Sequence, residues 1–129
     1  YNDKELLAKV NSLVHPRVWE RIEEEALEKQ KEFSYVVVEA AILPDKKYDI
    51  YDETWYIYSD ETTRRKRLKE SRAYSDMQID VIIEKQASEE EYCRFCDRVI
   101  ENNSTPEKLR YSIAMAMEDI VEKKKSHLL

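Results

Sequence analysis

Glycine is absent from all 129 residues. Average usage is about 7%, so the absence excludes whole motif classes. Neither standard glycine-rich phosphate loop is present in this chain. Any backbone position that needs positive φ must be filled by another residue, at a steric cost. Proline is scarce, at 3 residues, and cysteine scarcer, at 2. So few cysteines, with no secretory features, point to a reducing, cytoplasmic setting. No apolar run approaches the roughly 18 residues of a membrane span, and no signal peptide is present. The net charge of -6 and sequence pI of about 5.1 exclude general nucleic-acid binding.

Charge is plentiful: Asp, Glu, Lys and Arg make up 39% of the chain. The surface is therefore highly solvated, and the length suffices for one domain with a core. The chain begins at Tyr1, not methionine. The expectation is a processed or truncated product, or a piece of a longer chain.

The one concentrated basic feature lies between Asp60 and Gln86. Asp60 before Glu61, Thr62 and Thr63 is a helix start signal. A dense cationic run follows: Arg64, Arg65, Lys66, Arg67, Lys69 and Arg72. The pattern breaks at Ser71-Arg72-Ala73-Tyr74. Ser75 and Gln78 then have the spacing of a capping box and open a second helix. Two helices meeting at a short polar break place Arg72 in a loop. There a guanidinium can move and can grip a phosphate with two parallel hydrogen bonds. Helix, arginine-bearing break and second helix make a phosphate lid. A solvated basic face on an acidic protein is the plain alternative.

Upstream, Asn2 or Asp3 caps a short first helix with Leu6, Leu7 and Val10. After His15, Pro16 suits the first turn of a long helix to about Glu32. Val18, Trp19, Ile22, Ala26 and Leu27 form its apolar stripe. Tyr35 to Ala40, YVVVEA, reads as a buried strand. Glu39 near its end is either a site residue at the ligand-binding edge of an open α/β sheet or a carboxylate paired to a nearby cation. Thr54 to Tyr58 is a second strand, reached by a connection long enough for a parallel crossover. Downstream, Ser88 and Glu91 form another capping box, for a helix through Cys96. Asp97 to Glu101 is a third strand. Thr105 caps a last helix with Pro106 at its first position and Leu109, Ile113, Met117, Ile120 and Val121 as its stripe.

Alternating helices and strands predict an α/β fold with a mainly parallel sheet. Three strands leave open edges, which natural folds avoid. The expectation is missing strands, or a homo-oligomer formed through an open sheet edge. Cys93-Arg94-Phe95-Cys96 has C-x-x-C spacing but sits inside a predicted helix. Burial as small apolar residues is the preferred reading over a metal or redox site. RRKRLK as a nuclear-localisation or RNA patch is a motif met often by chance.

In order along the chain, NDKELLAKVNSLVHPRV, VVVEAAIL, RKRLKESRAYSD, the Gln86 region and DRVIENNST resemble dephospho-CoA kinase, a P-loop kinase of coenzyme A biosynthesis. The resemblance covers nearly the whole chain. It implies a partial P-loop-kinase-like parallel sheet flanked by helices, within one domain over residues 1–129 whose helical lid spans 60–86. It implies transfer of the ATP γ-phosphoryl to the ribose 3′-hydroxyl of dephospho-CoA, with Mg²⁺ accompanying ATP. The family's P-loop and its usual Mg²⁺ ligand would lie in a part this chain does not carry. Arg72 would be the catalytic lid arginine, with Arg67 supporting it. His15, Glu39 and Asp45 would lie on the acceptor side. Asn102 and Asn103 would lie near the adenine. Glycines that the family often carries fall at Lys47, Ala73 and the Ser104 region. A degenerate, non-catalytic kinase-like module that binds a protein partner, or another nucleotide kinase core, is the alternative.

Overall fold

The structure is a computed structural model and describes residues 3–128. Two compact units make up the chain, Tyr1–Asp52 and Glu53–Leu129. The alternative cap Asn2 lies outside the described residues.

The first unit is one long helix and an irregular segment. Helix α1 spans Lys4–Gln30, capped by the Asp3 carboxylate, which accepts from the Glu5 and Leu6 amides. The expected division at His15-Pro16 is not present: Pro16 lies inside α1. Proline forfeits the bond to the Ser12 carbonyl, but its φ is already helical. Helix formers on both sides carry the helix through. Of the expected stripe, Trp19 and Ala26 are buried, while Val18 and Leu27 stay exposed. Trp19 packs against Tyr48, ring centroids 6.1 Å apart, and Tyr51 meets Tyr48 edge-on.

Tyr35 to Ala40 is not a strand. The run has no ladder partner, and Val37 is 90% exposed. β-Branched side chains favour extended backbone, but a strand also needs a neighbour to exchange hydrogen bonds with. Among the described residues none pairs with this run. The expected three strands are therefore two.

The second unit holds both. Strand β1, Trp55–Tyr58, pairs in parallel with β2, Arg98–Glu101, in the register Trp55↔Arg98 to Tyr58↔Glu101. Between them run α2, Glu61–Arg72, α3, Asp76–Lys85, and α4, Glu89–Phe95; α5, Pro106–His127, follows. Every one of these helices begins where a cap was expected. Asp60 and Thr105 accept from the amide three residues on, and Ser75–Gln78 and Ser88–Glu91 make both bonds of the capping box. Ile79 of α3, Ile100 of β2 and Ala116 of α5 are buried.

An ion cluster clamps the start of the strand pair to α5. Glu53 accepts two bonds from the Arg98 guanidinium, both 2.9 Å, and one from the Trp55 indole at 2.8 Å. Lys123 reaches the same carboxylate at 3.3 Å, and Arg98 also holds Asp119 at 2.9 Å.

Ala73, between α2 and α3, has φ 51 and ψ 33, and it is the only non-glycine residue with positive φ among those described. This is where the family resemblance puts a glycine. An alanine Cβ crowds the next carbonyl in this conformation, at a cost of about 1 kcal/mol. Ala73→Gly should therefore raise stability by about 0.5–1 kcal/mol in urea unfolding. Ala114→Gly, inside α5, should lower it by about 1 kcal/mol. Equal losses at both positions would show that the turn does not hold residue 73 in the left-handed region.

Candidate functional site

The C-terminal ends of the two parallel strands form the candidate site, the edge where open α/β sheets bind ligands. The sequence supplies Ser59-Asp60 immediately after β1 and Asn102-Asn103 immediately after β2. The two loops are tied together by polar bonds. The Asn102 amide donates to the Tyr58 carbonyl at 2.7 Å. The Ser59 hydroxyl donates to the Asn102 carbonyl, and the Asp60 amide to Asn103 Oδ1, both at 2.7 Å. Asn103 Nδ2 reaches Glu101 at 3.4 Å. Arg67, two turns into α2, donates to the Ser59 hydroxyl at 3.1 Å. Ser59, Asp60, Arg67, Asn102 and Asn103 are all half-buried.

Asp60 does two jobs, capping α2 and holding the loop. The amide of Thr63, then its hydroxyl, holds the Asp60 carboxyl below the usual range, and Arg67 and Arg64 add to the effect. Asp60 is therefore an anion at neutral pH, spent on the helix terminus.

The basic run is not a uniform field. Arg65 is bound to Glu61 at 2.8 Å and to Asp80 at 2.6 Å, and Lys69 to Asp76 at 2.6 Å. Lys66 lies 4.0 Å from Glu70. Arg64 donates to the Gln86 side chain at 2.8 Å, and its Nε is buried without a hydrogen-bond partner. Arg67 and Arg72 make no salt bridge among the described residues, although the charge of Arg67 is felt at Asp60. A guanidinium offers five N–H donors, and Arg67 uses one of them on a neutral hydroxyl. These two cations remain available for an anion.

Arg72 is the last residue of α2, not a loop residue as expected, and it is exposed. Helices fray at their ends, and Ala73 is the residue that actually turns. Arg72 lies about 7.5 Å further along the helix axis than Arg67.

The structure thus brings Arg67, Asn102 and Asn103 together in the second unit. His15, Glu39 and Asp45 belong to the first. His15 is half-buried within α1. Glu39 is exposed on the extended segment, at no strand end. Asp45 is exposed and accepts a 3.5 Å bond from the Tyr48 hydroxyl. Sequence reasoning missed Ser59, which joins Arg67 to the second loop. Its position between a strand end and a helix cap was the available signal.

An arginine-bearing helix rising from the ends of parallel strands is the arrangement of an α/β kinase-like fold, here in part. Comparison with known proteins narrows the class. The family description for dephospho-CoA kinase matches residues 1–107, and the chain belongs to that family. It is 31% identical over 121 residues to the dephospho-CoA kinase of Thermobifida fusca, covering 93% of this chain and 60% of that protein. With that of Chlamydia felis it shares 31% over 111 residues, 84% of this chain and 55% of the relative. With that of Staphylococcus aureus it shares 25% over 120 residues, 92% and 58%. The chain spans somewhat over half the length of these relatives. No solved structure gives a significant match.

Proposed function

We propose that this chain supplies the lid and the base-side loops of a dephospho-CoA kinase site. The reaction is transfer of the ATP γ-phosphoryl to the ribose 3′-hydroxyl of dephospho-CoA. The observation that carries this reading is the pair of guanidiniums without a salt bridge, Arg67 and Arg72, in a basic run on α2 whose other cations are tied to acids or an amide. Phosphoryl transfer depends mostly on positioning and on neutralising charge that spreads over the equatorial oxygens. Arg72, next to the turn at Ala73, is the cation that closes on the transferring phosphates. Arg67, oriented by Ser59, supports it. Asn102 and Asn103 offer amide groups to the adenine. His15, Glu39 and Asp45 serve the acceptor.

Mg²⁺ accompanies ATP in the family reaction. Such an ion is held by one or two carboxylates together with the phosphates; among the described residues no three His, Cys, Asp or Glu side chains cluster. No described helix is long and apolar enough to cross a membrane.

The test is an arginine series in a catalytically complete version of the protein. Arg72→Ala should lower kcat about tenfold or more, as expected when charge stabilisation of the transferring phosphoryl is lost. Arg67→Ala should act in the same direction. Arg65→Ala should change kcat little, because its guanidinium is already bound to Glu61 and Asp80. Equal losses from all three would mean that the basic face acts as a diffuse field, and the lid reading would fail.

A further inference from the structure

Cys93 and Cys96 do not occupy the apolar pocket expected of them. Cys93 is exposed and Cys96 is half-exposed, and neither is in a disulfide. The Cys96 amide still donates to the Tyr92 carbonyl at 2.8 Å, so the chain is helical up to that nitrogen. It then leaves the helix, with Cys96 at φ -83 and ψ 147. Helical geometry over three residues puts the two Cα atoms about 5 Å apart. A disulfide spans Cα separations of about 4.4–6.8 Å. The adjustment needed to bring the sulfurs together falls on Cys96, which is already outside the helix. Among the described residues no third ligand joins the pair to make a metal site.

The surroundings give such a bond something to act on. The Tyr92 ring stacks on Tyr56 of β1, with centroids 4.6 Å apart and planes inclined by 8°. Tyr56 also meets Tyr58 edge-on at 5.8 Å. Burial holds the Tyr56 and Tyr92 phenols above their usual range. Cys93 beside Tyr56 and Cys96 beside Tyr92 push in the same direction. Cys93 follows Tyr92 directly in α4 and Cys96 lies one turn beyond it, so both cysteines sit beside the residue that joins α4 to β1. Tyr58, two residues on from Tyr56, accepts the Asn102 amide at the site.

We propose that Cys93 and Cys96 form a reversible intramolecular disulfide that acts as a thiol switch on the Tyr56–Tyr92 stack. The oxidant is a small disulfide of the glutathione class. The Cys93 thiolate, the more exposed, attacks one sulfur of glutathione disulfide. That S–S bond breaks, a mixed disulfide forms on Cys93, and one glutathione thiol leaves. The Cys96 thiolate then attacks Cys93 Sγ and displaces the second glutathione. Two protons and two electrons pass from the protein, and the oxidant ends as two thiols. A disulfide at this exposed position is open to attack by free thiols and is readily reduced. That lability is what a switch needs in a reducing compartment.

The test uses the full 129-residue chain in glutathione buffers running from reducing to oxidising. Intact mass should show the loss of two hydrogens with no glutathione retained. The chain should run as a monomer on a non-reducing gel, and dithiothreitol should reverse the change. The near-ultraviolet circular dichroism of the tyrosines should change in step. Cys96→Ser should stop at a single glutathione adduct on Cys93. A lasting adduct on the unaltered chain, a disulfide between chains, or no loss of thiols would overturn the proposal. Closure with an unchanged tyrosine spectrum would overturn the switch.

Discussion

The 129-residue chain by itself should form no measurable CoA from dephospho-CoA and ATP. A complete kinase turns over at about 1–100 per second, so the expected effect is total loss. The β- and γ-phosphates of ATP are normally cradled by successive backbone N–H groups of a glycine-rich loop, which approach the phosphates because no Cβ intervenes. This chain has no glycine. The helix N-termini of the second unit are not substitutes. Asp60 and Ser75 accept from the Thr63 and Gln78 amides, so the caps use part of the donor set a phosphate would need. Arg67 and Arg72 can neutralise charge but cannot replace a shaped cradle. A coupled assay on the purified chain checks this. Turnover at ordinary kinase rates would show that another part of the chain binds the phosphates.

Glu53→Gln should cost about 3 kcal/mol and lower Tm by about 10 °C. The Glu53 side chain is only 12% exposed, and Arg98 22%. The Arg98 guanidinium, then the Trp55 indole and Lys123, hold the Glu53 carboxyl down to about 2, against the opposing effect of burial. The sign follows from linkage. A carboxyl whose folded pKa lies below its ordinary 4.5 stabilises the fold fully above that value. The contribution is lost as pH falls from about 4.5 through about 2. A fall of this size corresponds to about 3 kcal/mol. Removing the charge also leaves Arg98 half-buried with Asp119 as its remaining acid. Lys123→Ala should cost about 0.5 kcal/mol or less, since that side chain is 66% exposed. Urea unfolding of the three proteins between pH 2 and pH 7 separates these effects. A Glu53→Gln protein as stable as its parent at pH 7 would show that the clamp costs as much in desolvation as it returns.

Helix boundaries in the second unit were legible because their signals are local. A cap and its amide lie three residues apart, and Asp60, Ser75, Ser88 and Thr105 each start a helix where their residue type and spacing place it. Two of the three strands were legible for the same kind of reason, as short β-branched or aromatic runs between helix signals. The third failed because extended propensity is local and strand pairing is not. YVVVEA has the composition of a strand and, among the described residues, no neighbour. Pro16 misled for the opposite reason: a residue suited to a helix start is also tolerated inside a helix whose neighbours favour it.

The site divides along the same line. Sequence alone, through its ordered motifs, determined the family, the absence of a phosphate loop and the asparagine pair after the last strand. Only the tertiary structure decided which cations are available. Arg65 and Arg67 look alike in RRKRLK. One folds against Asp80 and the other against a serine hydroxyl. It also decided that Ser59 meets Asn102 across 43 residues and that Glu53 meets Arg98 across 45. Charge and hydrogen-bonding capacity are written into each residue, but a partner is a matter of distance. Distance between remote residues is set only when β1 and β2 pair and bring their loops together.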